Sequence, residues 1–103
     1  MSYKIIVTDS AENDIASIIN YIANELGNTS ETLSLIASID EKYEYLSENP
    51  YVYEESRHGT LRHRGYRRIV IDNYIPLYLV DDDNHIVTIA RVFYGKQDYK
   101  NYI

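Results

Sequence analysis

The stretch Gly65-Tyr66-Arg67-Arg68-Ile69-Val70-Ile71-Asp72-Asn73-Tyr74-Ile75-Pro76-Leu77-Tyr78-Leu79-Val80 decides the fold. β-Branched and aromatic residues dominate it, and Asn73-Tyr74 interrupts it as a turn. Residues 66–72 read as one strand, with Arg67, Ile69 and Ile71 on one face and Arg68 and Val70 on the other. If the core lies under Ile69 and Ile71, Arg68 is the arginine exposed to a target. Residues 75–80 read as a second strand. Pro76 has no N–H to give to a ladder, which places it near the strand start or at an edge. The run Asp81-Asp82-Asp83-Asn84 reads as the next turn. Three consecutive acids suggest a calcium loop, but the alternate ligand spacing and the glycine are missing. Residues 86–93 complete a meander and bring Arg91 to the strand end.

Upstream, residues 3–8 alternate Tyr3, Ile5 and Val7 against Lys4, Ile6 and Thr8, the pattern of a first strand. Asp9 followed by Glu12 has the form of a capping box. Ala11, Ile15, Ile18, Ile19, Ile22 and Leu26 then fall on one helical stripe, and Gly27 stands where a C′ glycine ends a helix. Asn28 and Thr29 offer a second N-cap. A second stripe follows, Leu33, Ile36, Ile39, Tyr43 and Leu46, before Pro50 blocks extension. Two amphipathic helices so closely joined form an antiparallel hairpin. Glu12, Asp14, Glu25, Glu31, Glu41, Glu44 and Glu48 are assigned to their solvated outer faces. Residues 50–65 fit neither period; part of this connection reads as a short strand or a turn of helix. The expected architecture is α+β: an N-terminal strand, an antiparallel two-helix hairpin, then a three-stranded antiparallel meander, with the helices packed on one face of the sheet.

The 103 residues suggest a single domain spanning 1–103, long enough to bury roughly 65% of its unfolded surface without metal or disulfide staples. Cysteine is absent, which rules out a Cys-ligated metal site. No apolar run approaches the ~18 residues of a membrane span, and the N-terminal run is too short for a signal peptide. The expectation is a cytoplasmic protein with no membrane partner, no metal and no cofactor.

Charge is unevenly placed. The chain carries −6 overall, and residues 1–56 hold two basic residues against eleven acids. Residues 57–68 hold five of the ten Lys+Arg residues (Arg57, Arg62, Arg64, Arg67, Arg68) and two of the three His (His58, His63), with no acid. Such a segment fits an anionic partner, either a phosphate backbone or a carboxylate-rich peptide. A plainer reading is an exposed loop that balances the acidic helices. Most of the twelve tyrosines read as half-buried packing positions, Tyr66, Tyr74 and Tyr78 among them.

The element order, the Asp-Ile-Ala-Ser-Ile-Ile-Asn-Tyr-Ile run at 14–22, the closure of the second helix at 46–50, residues 65–71 leading into 74–78, and residues 89–99 together carry a resemblance. In this order and spacing they are similar to the RelE/ParE superfamily of bacterial type II toxins, also called plasmid stabilisation proteins. The resemblance covers nearly the whole chain. It implies a growth-inhibiting toxin neutralised by a cognate antitoxin, in a toxin–antitoxin hetero-oligomer. RelE-like members cut mRNA on the ribosome, whereas ParE-like members poison DNA gyrase. The run at 94–99, Tyr-Gly-Lys-Gln-Asp-Tyr, resembles the ParE-like His-Gly-Arg-Arg-Asp pattern, and Gln97 stands where RelE-like enzymes carry a tail arginine. The ParE-like branch is therefore slightly favoured, with the mRNA endonuclease and a decayed toxin that only binds its antitoxin as alternatives.

RNA scission needs a base, an acid and cations around the phosphorane. The resemblance makes Arg67, Arg68, Arg91, Tyr94 and Tyr99 the catalytic candidates, with His58 or His63 as a further base. Arg57, Arg62, His63, Arg64, Lys96, Lys100 and Tyr102 are the binding candidates. Antitoxin docking is the use expected of the basic segment, because antitoxin tails in this superfamily are commonly acidic and apolar. The acidic net charge favours the binding-only alternative. A general RNA-binding domain finds no support, as no strand carries paired stacking aromatics.

Overall fold

The computed structural model describes residues 2–25, 27, 29–56, 59–71 and 74–94. Strand β1 (Lys4–Val7) leads into helix α1 (Asp9–Asn20), which continues as one π-helical turn (Tyr21–Glu25). Helix α2 (Thr29–Glu48), a short α3 (Gly59–His63), and strands β2 (Arg67–Arg68), β3 (Tyr74–Asp81) and β4 (Ile86–Tyr94) follow. The sheet order is β1-β4-β3-β2. β2, β3 and β4 form the antiparallel meander, and β1 returns to pair in parallel with β4, Lys4 opposite Ile86 through Val7 opposite Ile89.

The first helix starts one residue earlier than the capping box suggests. Thr8 is the N-cap, and its hydroxyl accepts from the Ala11 N–H at 3.1 Å. The sheet has already fixed Thr8 in extended geometry, through its N–H to the Ile89 carbonyl (3.1 Å) and its hydroxyl to the Ala90 carbonyl (2.8 Å). Asp9 and Glu12 thus occupy the first turn, where carboxylates complement the helix dipole. Gly27 has φ +62°, the conformation that reverses the chain after the π turn. Leu26 and Asn28 lie outside the described residues.

Ala11, Ile18 and Ile22 are buried as their spacing requires. On α2 the buried line is Thr32, Leu35, Ile39 and Leu46, whereas Leu33 and Ile36 are 64% and 40% exposed. Both lines have helical spacing, and sequence periodicity alone chose the outer one in the first half of the helix. Together with Ile69, Ile71, Tyr74, Tyr78, Val87, Ile89 and Val92, the residues Ala11, Ile18, Ile22, Leu35, Ile39 and Leu46 form the core under the helices. A second apolar cluster, Leu61, Ile75, Leu77 and Phe93 with Tyr66 against it, covers the other face of the sheet.

The strand expected over 66–72 is regular only at Arg67–Arg68. Ile69 donates to the Pro76 carbonyl at 3.0 Å, but proline has no N–H to return the bond. Pairing resumes at Ile71 opposite Tyr74. Pro76 is the third residue of an interior strand, near the strand start as expected but not at an edge. The irregular connection contains α3 and a short pairing of Glu55 opposite Arg67.

A β-bulge lies in β4. Leu77 pairs with Arg91 while Tyr78 pairs with Ile89, leaving Ala90 without an opposite residue. Before the bulge Val87 and Ile89 face the helices. After it Val92 does, and Phe93 joins the opposite cluster.

Candidate functional site

The described candidate residues gather in three places. The first is the face of the sheet opposite α1 and α2, which Leu61 of α3 helps to cover. Arg68 pairs with Leu77 on one side, and Leu77 pairs with Arg91 on the other. Adjacent strands lie about 4.8 Å apart, so the two arginine backbones stand about 10 Å apart in one transverse row. Each side chain is held by a carboxylate. Arg91 gives Nε (2.7 Å) and Nη2 (2.9 Å) to the two oxygens of Asp14, and its guanidinium lies 5.2 Å from the centre of the Phe93 ring. Asp14 also accepts the Val92 N–H at 3.0 Å. Asp14 is therefore not an outer-face acid: its side chain is 18% exposed and docks on the edge of β4 beyond the end of β1.

Arg68 gives Nη2 to Glu54 at 2.6 Å. The expectation that Arg68 is the exposed member of its pair fails. Its side chain is 11% exposed against 21% for Arg67. The alternation itself is as expected, since Ile69 and Ile71 are buried under the helices and Val70 is exposed. What the alternation omits is that the face opposite the helices carries its own apolar cover.

The second place is the outer edge of β2. Arg67 donates Nη1 to the Tyr53 carbonyl (2.9 Å), stands 4.0 Å from Glu55, and lies over the Tyr51 ring at 4.9 Å. Arg62, from the last turn of α3, donates Nε to Glu55 at 3.0 Å. Arg62 and Arg67 share an open cleft of about 490 Å³ with Tyr51, Tyr53, Glu54 and Glu55. The Tyr51 hydroxyl donates to Asp82, as does that of Tyr3 at 2.7 Å. These bonds favour the phenol and the carboxylate as they stand, so Tyr51 is pushed up to about 12 and Asp82 falls below the usual carboxylate range. Arg64 lies 5.8 Å from the Tyr66 ring centre, and His63, beside Arg62 at the end of α3, is exposed.

The third place is the end of β4. Tyr94 lies between Tyr74 (5.5 Å between ring centres) and Tyr21 (6.1 Å). The π-helical turn begins at Tyr21, and Ser17, Ile18, Tyr21 and Tyr94 line a cleft of about 270 Å³. Tyr74 and Tyr78 are packing residues; burial pushes Tyr78 up to about 12, and its hydroxyl is satisfied by the Pro50 carbonyl at 2.9 Å. Arg57, His58, Lys96, Tyr99, Lys100 and Tyr102 lie outside the described residues.

Sequence reading missed the partners of the arginines: Asp14, Glu54 and Glu55. The signal for the last two was faint, two adjacent acids immediately before a run of bases. For Asp14 and Arg91, 77 residues apart, there was none.

The profile of the family described as the ParE toxin of the type II toxin–antitoxin system parDE matches residues 5–99. No curated protein matches the chain. Among solved structures, the fold is shared with the chromosomal ParDE toxin–antitoxin system of Pseudomonas aeruginosa. That match has 15% identity and a TM-score of 0.70, and covers 92% of this chain and 98% of that one. A double-arginine variant of Escherichia coli toxin RelE in the free state matches at 14% identity and a TM-score of 0.64, covering 99% and 93%. The Mycobacterium tuberculosis RelBE2 toxin–antitoxin complex matches at 19% identity and 0.53, covering 91% and 99%.

Proposed function

Because the chain belongs to the ParE toxin family of type II toxin–antitoxin systems, we propose that it arrests growth by binding DNA gyrase, and that its basic 62–68 segment docks a cognate antitoxin. The observation that supports binding over RNA cleavage is the state of the sheet arginines. Arg67, Arg68 and Arg91 each face a carboxylate of the chain itself, Glu55, Glu54 and Asp14. A nuclease needs cations directed at the equatorial oxygens of a phosphorane. An arginine whose Nε and Nη2 already grip a carboxylate, as in Arg91, has to break a charge-assisted bidentate pair before it can do that. A surface that recognises a protein has no such requirement.

The test is induction of the chain without an antitoxin, with purified gyrase and translating ribosomes assayed beside it. Gyrase inhibition with DNA breaks, and translation intact at early times, is the expected result. Ribosome-dependent cuts in mRNA with gyrase unaffected overturn the reading, as does normal growth with confirmed folded expression. Arg67→Ala with Arg68→Ala should weaken antitoxin binding; unchanged affinity removes the basic segment from the contact.

A further inference from the structure

The edge of β2 is already occupied, by the chain itself. Glu55 sits opposite Arg67 in antiparallel register, the Arg68 N–H donates to the Glu54 carbonyl (3.1 Å), and the Ser56 N–H donates to the Tyr66 carbonyl (2.9 Å). Around this pairing Glu54 meets Arg68, and Glu55 meets Arg62 and Arg67. We infer that residues 54–56 are an internal stand-in for an acidic, extended peptide of a partner protein, which docks on the β2 edge by displacing them. The inference rests on the proposed role of the basic segment as the antitoxin contact and specifies how that contact is made.

Three observations carry it. First, the strap is short: in the described backbone two bonds flank a single bridge, and both of its glutamates are about half exposed while Ser56 is buried. Charge pairs of that exposure contribute little. Second, the strap leaves Arg68 incompletely satisfied. Glu54 accepts from Nη2, and among the described residues the buried Arg68 Nε has no partner. A carboxylate approaching side-on would take both, as Asp14 does with Arg91. Third, the strap is shorter than the edge. By alternation the backbone groups of Tyr66, Arg68 and Val70 all turn away from β3, and the Val70 side chain is 53% exposed. A longer acidic strand can pair along that edge, where a three-residue segment cannot. Specificity comes from the carboxylates and register from the main chain, as in strand addition to an open sheet edge.

The experiment uses the full chain and a fluorescein-labelled peptide of five Glu-Val repeats, followed by anisotropy. At about 0.1 M salt the Debye length of ~10 Å limits repulsion from the acidic helices. Wild type should bind the peptide. Glu54→Gln with Glu55→Gln should bind it about five- to tenfold tighter, because the apparent Kd is raised by the fraction of molecules in which the strap closes the edge. Glu41→Gln with Glu44→Gln, the same charge change on exposed positions of α2, should stay within about twofold. Arg67→Ala with Arg68→Ala should lose binding. A Glu-Val peptide of the same length and charge with every backbone amide N-methylated, which has no N–H to give in either register, should bind at least about tenfold more weakly. Equal binding of the N-methylated peptide, equal tightening by the α2 variant, or no tightening by the strap variant overturns the inference. If the double strap variant does not fold, Glu54→Gln alone carries the same expectation at about threefold. Growth arrest is scored separately. Arrest with unaltered peptide affinity overturns strand exchange alone; peptide binding as expected without arrest supports strand exchange and overturns only the toxin reading.

Discussion

Asp14→Ala should be among the most destabilising single changes on the surface of α1. The carboxylate makes three bonds, two to Arg91 at 2.7 and 2.9 Å and one to the Val92 N–H at 3.0 Å. Removing one partner of a fully buried pair costs about 3–5 kcal/mol, because a charge is left stranded. Here the two side chains are 25% and 18% exposed, so solvent recovers part of that and about 2 kcal/mol remains. The orphaned Val92 N–H adds about 1 kcal/mol. The total, about 3 kcal/mol, lowers Tm by roughly 12–24 °C for a chain of this size. Urea unfolding followed by circular dichroism measures it, with the m-value unchanged. Asp14→Asn keeps an acceptor for Val92 and should cost about 2 kcal/mol. The cycle with Arg91→Met should show a coupling of about 1.5 kcal/mol. A coupling below about 0.5 kcal/mol, the level of an exposed pair, refutes the reasoning.

Thr8→Ala removes both the N-cap of α1 and the hydroxyl bond to the Ala90 carbonyl; a loss of about 1–2 kcal/mol is expected in the same assay. Asp82→Asn should bring Tyr51 down from about 12 toward the ordinary phenol value near 10, read by ultraviolet titration at 295 nm. The signs of the two groups are opposite. Asp82, lowered on folding, contributes stability above the unfolded carboxylate pKa that is lost as pH falls through its folded value; Tyr51, raised on folding, contributes stability below about 10 that is lost as pH rises through about 12. The variant should therefore flatten both limbs of the stability profile, and unchanged limbs would dissociate the cluster from folding. Gly65→Ala should cost about 1 kcal/mol although the nearest atom to the new Cβ is 3.8 Å away, because φ is +88°. Gly59→Ala, in the first turn of α3 with open space around it, should be neutral or gain up to about 0.5 kcal/mol.

The parts of this fold that were legible in the sequence are those governed by local period. The alternation of residues 66–71 correctly buried Ile69 and Ile71, and the 3.6-residue stripe correctly buried Ala11, Ile18 and Ile22. Period failed where two solutions shared it: the outer and inner lines of α2 differ by one residue, and only the elements packed against it, the π-helical turn and β1 among them, choose Leu35 over Leu33 or Ile36. It failed again where the chain leaves regular geometry, at Pro76 and at the bulge of Ala90. The candidate site was half legible. Arg62, Arg67 and Arg68 stood out as part of a run of bases, with Glu54 and Glu55 faintly marked ahead of it, but nothing joined Arg91 to Asp14, 77 residues away. Contacts at that separation leave no imprint on composition or spacing.

The bulge at Ala90 connects these failures to the arginine row. Without it the residues 87, 89, 91 and 93 would share one face, since strand side chains alternate. Val87 and Ile89 lie in the core under the helices, so Arg91 would follow them into apolar surroundings, where an unpaired charge is prohibitive. The extra residue reverses the phase. Val92 replaces Arg91 in the helix-side core, Phe93 joins Leu77 on the other face, and Arg91 comes level with Arg68 across Leu77. The same shift leaves the outer edge of β4 to be closed by Thr8 and Asp14 rather than by β1. One inserted residue thus sets the phase of the arginine row and the edge on which its neutralising acid docks. Arg67 and Arg68 of the basic segment thus face Glu55 and Glu54, and Arg91, beyond that segment, faces Asp14.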